Sequence, residues 1–357
     1  KKLLAVFLAI GAAATAAMYF ITRGDWLFAL VLFMIGNVGV AGSFIFYESL
    51  LPHLVGQDQL DIVSAAGYAI GYIGGGVMLA IDILIMSEPS WFGLADRGMA
   101  VRVAFAGVAV WWVLFSIPIF RRVPEPPRRL ERDERAGQNP LGTAVRGLIE
   151  TFRELRLYRE AFVFLLAFLL YNDGIQTIIR MATTYGTEIG INDNAMLGAL
   201  LITQFIGVPF AFLFGMFAEH IGAKAAVFVG LAAYAGITLL AYFMHNAWQF
   251  IGLALLVGMV QGGTQALSRS MFASMIPKHK SSEFFAFFGV FERYAGILGP
   301  AIFAWMAAHS GTSRNAILSV LVFFIVGAAL LAFVDVAEGR VVARAAEAEM
   351  ARTPSGR

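Results

Sequence analysis

Two ionisable residues, Asp173 and Arg180, stand inside one long apolar run, 161–185. An ionised side chain in hydrocarbon is costly, so such a residue faces a partner, a cavity or a solute path. Asp173, Gln176, Thr177, Arg180 and Thr184 recur at helical spacing on one face. An aspartate near mid-membrane can hold a substrate ammonium or carry a coupling proton. The alternative is a structural carboxylate that caps a broken helix or pairs with another helix. Arg180 lies seven residues on, roughly 10 Å along a helix and beyond simple contact with Asp173. A guanidinium binds a carboxylate through two parallel bonds, so the two residues together suit a zwitterion. Snorkelling of Arg180 to the outer interface is the alternative.

Other polar residues interrupt the apolar runs. Gln261, Gln265 and Arg269 step by four along one face of the run 247–270. Gln261 is at mid-depth and can hydrogen-bond a solute, whereas Arg269 is nearer the end and suits a gate, with Glu219 as its expected partner. Glu48 closes the run 26–51 at a similar depth, with Asn37 eleven residues earlier and roughly on its face. Glu292 and Arg293 are adjacent in the run 284–308, so they point different ways and are expected to pair with neighbours near an entrance.

No soluble chemistry competes with this reading. There is no cysteine, and the five histidines are scattered. No Walker loop, zincin helix or nucleophile elbow is present, so no catalytic residue, metal or cofactor is expected. A membrane enzyme would place paired His or acidic residues at one interface. A solute receptor or sensor built like a transporter is the other class that fits.

The elements that must position these residues are helices in lipid. The chain is 59% hydrophobic and 14% charged, with a mean hydropathy of +0.75. A soluble domain carries about 25% charged residues. Ten runs of spanning length lie near 3–22, 26–51, 64–86, 100–120, 161–185, 194–218, 224–244, 247–270, 284–308 and 315–335. Alternating them across a bilayer leaves 19 Lys and Arg on the side of both ends and four on the other, which predicts cytoplasmic termini. The segment 121–160 is a linker: Arg121 to Pro140 is rich in Pro, Arg and Glu. Leu141, Val145, Leu148, Phe152 and Leu155 then recur at helical spacing, as in an amphipathic helix on the membrane face or a connector packed on the bundle. This divides the chain into 1–120 (four helices), 121–160, 161–335 (six helices) and a cytoplasmic tail 336–357.

The halves echo each other. At an offset of 225, Ser43 matches Ser268, Ser49 matches Ser274, Gly71 matches Gly296 and Gly74 matches Gly299. At 222, Trp26 matches Trp248 and Phe28 matches Phe250. Runs one to three thus correspond to runs seven to nine in the same orientation, as in a parallel repeat of two six-helix halves. On this register two helices are expected before residue 1, for a total of twelve. The glycine pairs Gly71/Gly75 and Gly258/Gly262 are spaced for close helix contact.

The stretches Ser43–Pro52, Gly67–Gly76, Tyr171–Gly186, Gln261–Pro277 and Glu283–Pro300 resemble the branch of the major facilitator superfamily that includes the fungal vacuolar amino-acid effluxers and their bacterial relatives. Tyr171-Asn172-Asp173-Gly174 and Gln261-Gly262-Gly263 are the most distinctive segments. The stretch Gly215–Lys224, with Glu219 and Gly222, resembles the superfamily's loop signature and makes Lys224 a gate candidate. The resemblance implies an all-α, polytopic secondary transporter with a central cavity lined by the runs that hold Asn37, Asp173 and Gln261, in the cell's inner membrane. It implies amino acids as a substrate class.

Solute and coupling-ion candidates are therefore Asp173, Gln176, Arg180, Asn37, Gln261 and Gln265. Gate candidates are Glu48, Glu219, Lys224, Arg269, Glu292 and Arg293. The expected partners are a small-molecule solute, protons and the lipid bilayer, with no nucleic acid. The sequence does not specify an oligomeric state.

Overall fold

The computed structural model describes residues 1–125 and 157–352, and its regular elements are all helical. They are α1 (Lys2–Ala17), α2 (Trp26–Glu48), the single turn α3 (Leu51–Leu54), α4 (Leu60–Ser87), α5 (Arg97–Arg122), α6 (Arg159–Glu188), α7 (Asp193–Ile221), α8 (Ala223–Tyr242), α9 (Ala247–Ser274), α10 (Ser281–Tyr294), α11 (Leu298–Ser310), α12 (Ser313–Ala332) and α13 (Val336–Arg352). The amphipathic stretch read at 141–155 lies outside the described residues.

Among the described residues, nine helices are long and apolar enough to cross a membrane. The tenth run, 284–308, is not one helix. It is divided into α10 and α11 of 14 and 13 residues, parted at residues 295–297. Gly296 takes φ +95°, a left-handed conformation that glycine alone adopts at little cost, and that turn ends α10. Hydropathy does not mark the break itself, because Ala295-Gly296-Ile297 is apolar. Many large apolar side chains point outward, among them Trp248, Phe333 and Trp26, at 83, 76 and 72% exposure. A surface of this kind is at home in hydrocarbon and not in water.

The helices pack into two compact units, residues 1–50 with 74–127 and residues 51–73 with 128–357. In the first unit α1 and α2 meet glycine to glycine: a β-carbon added at Gly39 would strike the backbone of Gly11, and one at Gly42 the ring of Phe7. Small residues at such a seam let backbones approach, which is how helices gain contact in lipid.

The second unit has an aromatic core. Phe164, Phe272, Phe284 and Phe285 are fully buried, and Phe288 stacks on Phe168 with ring centroids 4.4 Å apart. Tyr171 is buried too, its hydroxyl paired with Ser268 Oγ at 2.6 Å. Of the glycine pairs expected to make close contacts, Gly258 and Gly262 do: a β-carbon there would lie 2.9 Å from the Thr203 carbonyl and 2.5 Å from the Tyr72 ring. Gly71 does not, since it faces open space.

The tail read at 336–357 is helical through Arg352 and is tied down. Asp335 accepts the N–H groups of Ala337 and Glu338 at the start of α13, and its own N–H donates to Glu160 at 2.6 Å. Arg340 donates to Ser274 Oγ at 3.1 Å and Arg344 to Gln57 Oε1 at 2.9 Å.

Candidate functional site

The geometry around α6 turns on the break between α10 and α11. A helix N-terminus leaves its first N–H groups without intrahelical partners. Here the carboxylate of Asp173, 1% exposed, supplies the acceptor. Its Oδ1 accepts from the Gly296 amide and its Oδ2 from the Gly299 amide at 2.6 Å. A carboxylate at this end of a helix also meets the positive pole of the helix dipole.

Arg180 engages the other side of the same peptide segment. Its Nη1 donates to the Gly296 carbonyl at 3.1 Å. Asp173 and Arg180 therefore bracket Gly296, one on its N–H and one on its C=O. Gln176, between them on α6, packs on Gly296, where an added β-carbon would lie 3.2 Å from its own. Thr177 donates to the Asp173 carbonyl at 2.6 Å, and its Cβ would lie 3.0 Å from a β-carbon at Gly299. Residues Asp173, Gln176 and Arg180 are thus brought together at one place, and in this conformation the aspartate caps a broken helix.

A second polar cluster joins the start of α4 to the end of α9. Arg269 donates through Nε to Ser64 Oγ at 3.0 Å and through Nη2 to the Ser64 carbonyl at 3.1 Å. Its guanidinium sits 4.8 Å from the centre of the Tyr68 ring. Ser270 donates to Asp61 at 2.5 Å. Glu292, half-buried at the end of α10, has Arg293 and Arg269 as its neighbouring opposite charges. The expected partner of Arg269, Glu219, is exposed at the end of α7 and near enough to Asp61 to act on it as a like charge.

The remaining candidates are dispersed. Lys224 donates to the carbonyls of Ala332 and Val334 at 2.9 and 2.7 Å, so it caps the end of α12. Gln261 and Gln265 are half-buried on α9, Arg293 is exposed, and Glu48 is buried at the end of α2. Asn37 is exposed on α2 and donates to the Phe33 carbonyl of its own helix at 2.9 Å. Sequence reasoning gave no site role to Asn172, which it noted only within a distinctive segment, nor to Gly296, Gly299 and Ser64. The glycines had registered only as repeat matches to Gly71 and Gly74, which says nothing of a carboxylate partner.

A family model described as vacuole effluxer Atg22 like matches residues 1–344. The MFS-type transporter YxiO of Bacillus subtilis is 34% identical over 343 residues, covering 94% of this chain and 77% of that protein. Autophagy-related protein 22 of Yarrowia lipolytica is 27% identical over 307 residues, covering 78% of this chain. The chain spans about half the length of that fungal relative (51%). Among solved structures, the major facilitator transporter FucP in its outward conformation superposes with a TM-score of 0.66 at 13% identity, over 93% of this chain and 82% of that one. The proton:xylose symporter XylE gives 0.64 at 16% identity, over 94% and 79%. At these identities the likeness speaks to fold alone.

Proposed function

The chain belongs to the family of Atg22-like vacuole effluxers, and on that premise we propose that it moves small zwitterionic solutes of the amino-acid class by proton-linked secondary transport. It is a multi-pass membrane protein with the major facilitator fold. The bracket around Gly296 carries the proposal. The buried carboxylate of Asp173 and the exposed Arg180 meet on one residue, Gly296, through its N–H and its C=O.

The chemistry runs as follows. Ionised Asp173 is a charged acceptor for the amide of Gly296, in the break, and that of Gly299, in the first turn of α11. Protonation removes that charge and turns one oxygen into a donor, so its hold on the Gly296 and Gly299 amides weakens. A solute carboxylate can then take those amides together with Arg180. Loss of the proton restores the internal cap and expels the solute. In this reading the break is the moving part, and the halves of the protein rock about it. The distribution of Lys and Arg supports both ends on the cytoplasmic side of the cell membrane.

Counterflow in proteoliposomes tests the substrate class without knowledge of the coupling ion. Radiolabelled amino acids are compared with fucose and xylose. Trans-stimulated exchange of one amino-acid class, with none for the sugars, is the expected result. Exchange of a sugar and of no amino acid would overturn it.

A further inference from the structure

Asn172 is 1% exposed, and among the described residues neither its Oδ1 nor its Nδ2 has a hydrogen-bond partner. Buried amides are nearly always paired, and an unpaired one is costly to keep. Its neighbours on α6 are fully engaged. Tyr171 pairs with Ser268, Asp173 with the amides of Gly296 and Gly299, and Thr177 with the Asp173 carbonyl.

Helical geometry sets its level. Residues 168, 172 and 176 share one face. Phe168 stacks on Phe288 of α10, and Gln176 packs on Gly296 at the break. Asn172 lies between those two contacts, level with the last turn of α10, where Glu292 stands. Two columns thus run side by side on α6. Asp173 is bonded to the break, and Thr177 is bonded to the Asp173 carbonyl and packs on Gly299. Residues 172 and 176 carry carboxamides, and that of Asn172 is unbonded among the described residues.

We propose that Asn172 is a solute-contacting residue. Its carboxamide oxygen accepts from a solute N–H or O–H, and its NH2 donates to a solute oxygen, with Gln176 one turn on as a second amide. One amide plane presents a donor and an acceptor together, which matches a head group carrying ammonium and carboxylate on one carbon. The inference rests on the transporter reading above and adds a residue that it does not use.

Asn172→Leu, a near-isosteric change, separates the possibilities, with melting temperature measured in detergent and KM measured by amino-acid counterflow. Removing two unpaired polar atoms from a protein interior is expected to leave the melting temperature equal to or above that of the wild type. Loss of solute hydrogen bonds is expected to raise KM about tenfold or more. A fall in melting temperature would show that the amide serves the structure, and would overturn the inference. So would an unchanged KM in a normally folded variant. A wild type that exchanges sugars and no amino acids would sink the substrate reading. Asn172 would then stand or fall on the KM for that sugar.

Discussion

Asp173 on α6 accepts a 2.6 Å hydrogen bond from the backbone of Gly299 on α11, with Gly296 bonded to its other carboxylate oxygen. One side chain therefore serves as the N-terminal cap of a helix 126 residues away in sequence. The cap and the break are mutually dependent: a continuous helix over 284–308 would pair those amides internally and leave the carboxylate buried without donors.

Asp173→Asn keeps the shape but lowers the capping strength, because the amide has one acceptor oxygen where the carboxylate has two. The NH2 then faces a backbone N–H. The expected loss is about 1–3 kcal/mol, read from thermal unfolding in detergent. Unfolding at the wild-type temperature would mean that the cap contributes nothing.

Gly299→Ala drives a methyl group into Thr177, whose Cβ would be 3.0 Å away, and the Asp173 carbonyl, 3.1 Å away. Overpacking of this kind costs about 1–3 kcal/mol. Thr177→Ala removes the hydroxyl that is struck first, so the double variant should recover part of the loss. Strict additivity in a double-mutant cycle would contradict the contact.

Arg269→Lys tests the α4–α9 cluster. A guanidinium reaches both the Ser64 hydroxyl and the Ser64 carbonyl while lying over Tyr68; an ammonium cannot present that fork. A loss of about 1–3 kcal/mol is expected, and Ser64→Ala added to the Arg269→Lys variant should cost less than it does in the wild type. Equal costs in both backgrounds would exclude the coupling.

The loop before α2 provides a pH test outside the spans. Asp25 Oδ2 accepts from the Thr22 hydroxyl and amide at 2.5 and 3.0 Å. Those bonds hold its carboxyl below the usual aspartate range. A depressed folded pKa gives stabilisation that is present above the unfolded value and lost as pH falls through the folded one. Protection of the Thr22 amide from hydrogen exchange should therefore persist at neutral pH and disappear in acid. Protection indifferent to acid would show that Asp25 is not the acceptor.

The membrane bundle was legible because spanning runs are a bulk property of composition, and the long helices α2, α6 and α9 fall where the apolar runs do. The helical face of Asp173, Gln176, Thr177 and Arg180 was legible for the same reason: period alone sets it. Its partner was not. Gly296 takes its left-handed turn because Asp173 and Arg180 hold its two peptide groups, and such a tertiary relationship leaves no mark on local hydropathy. Asn172 was noted within a distinctive segment but given no role, because a residue one position off the chosen face has no pattern of its own. Lys224 was read through a loop signature, whereas its contact is with the end of α12, which lies 108 residues on at Ala332.

The proton-linked bracket around Gly296 is tested most directly by Asp173→Asn in proteoliposomes, comparing amino-acid uptake driven by a pH gradient with counterflow at equal pH. Loss of the pH-driven component with counterflow retained at a measurable rate is the predicted result. pH-driven uptake equal to that of the wild type would remove Asp173 from coupling and leave it as a structural cap alone.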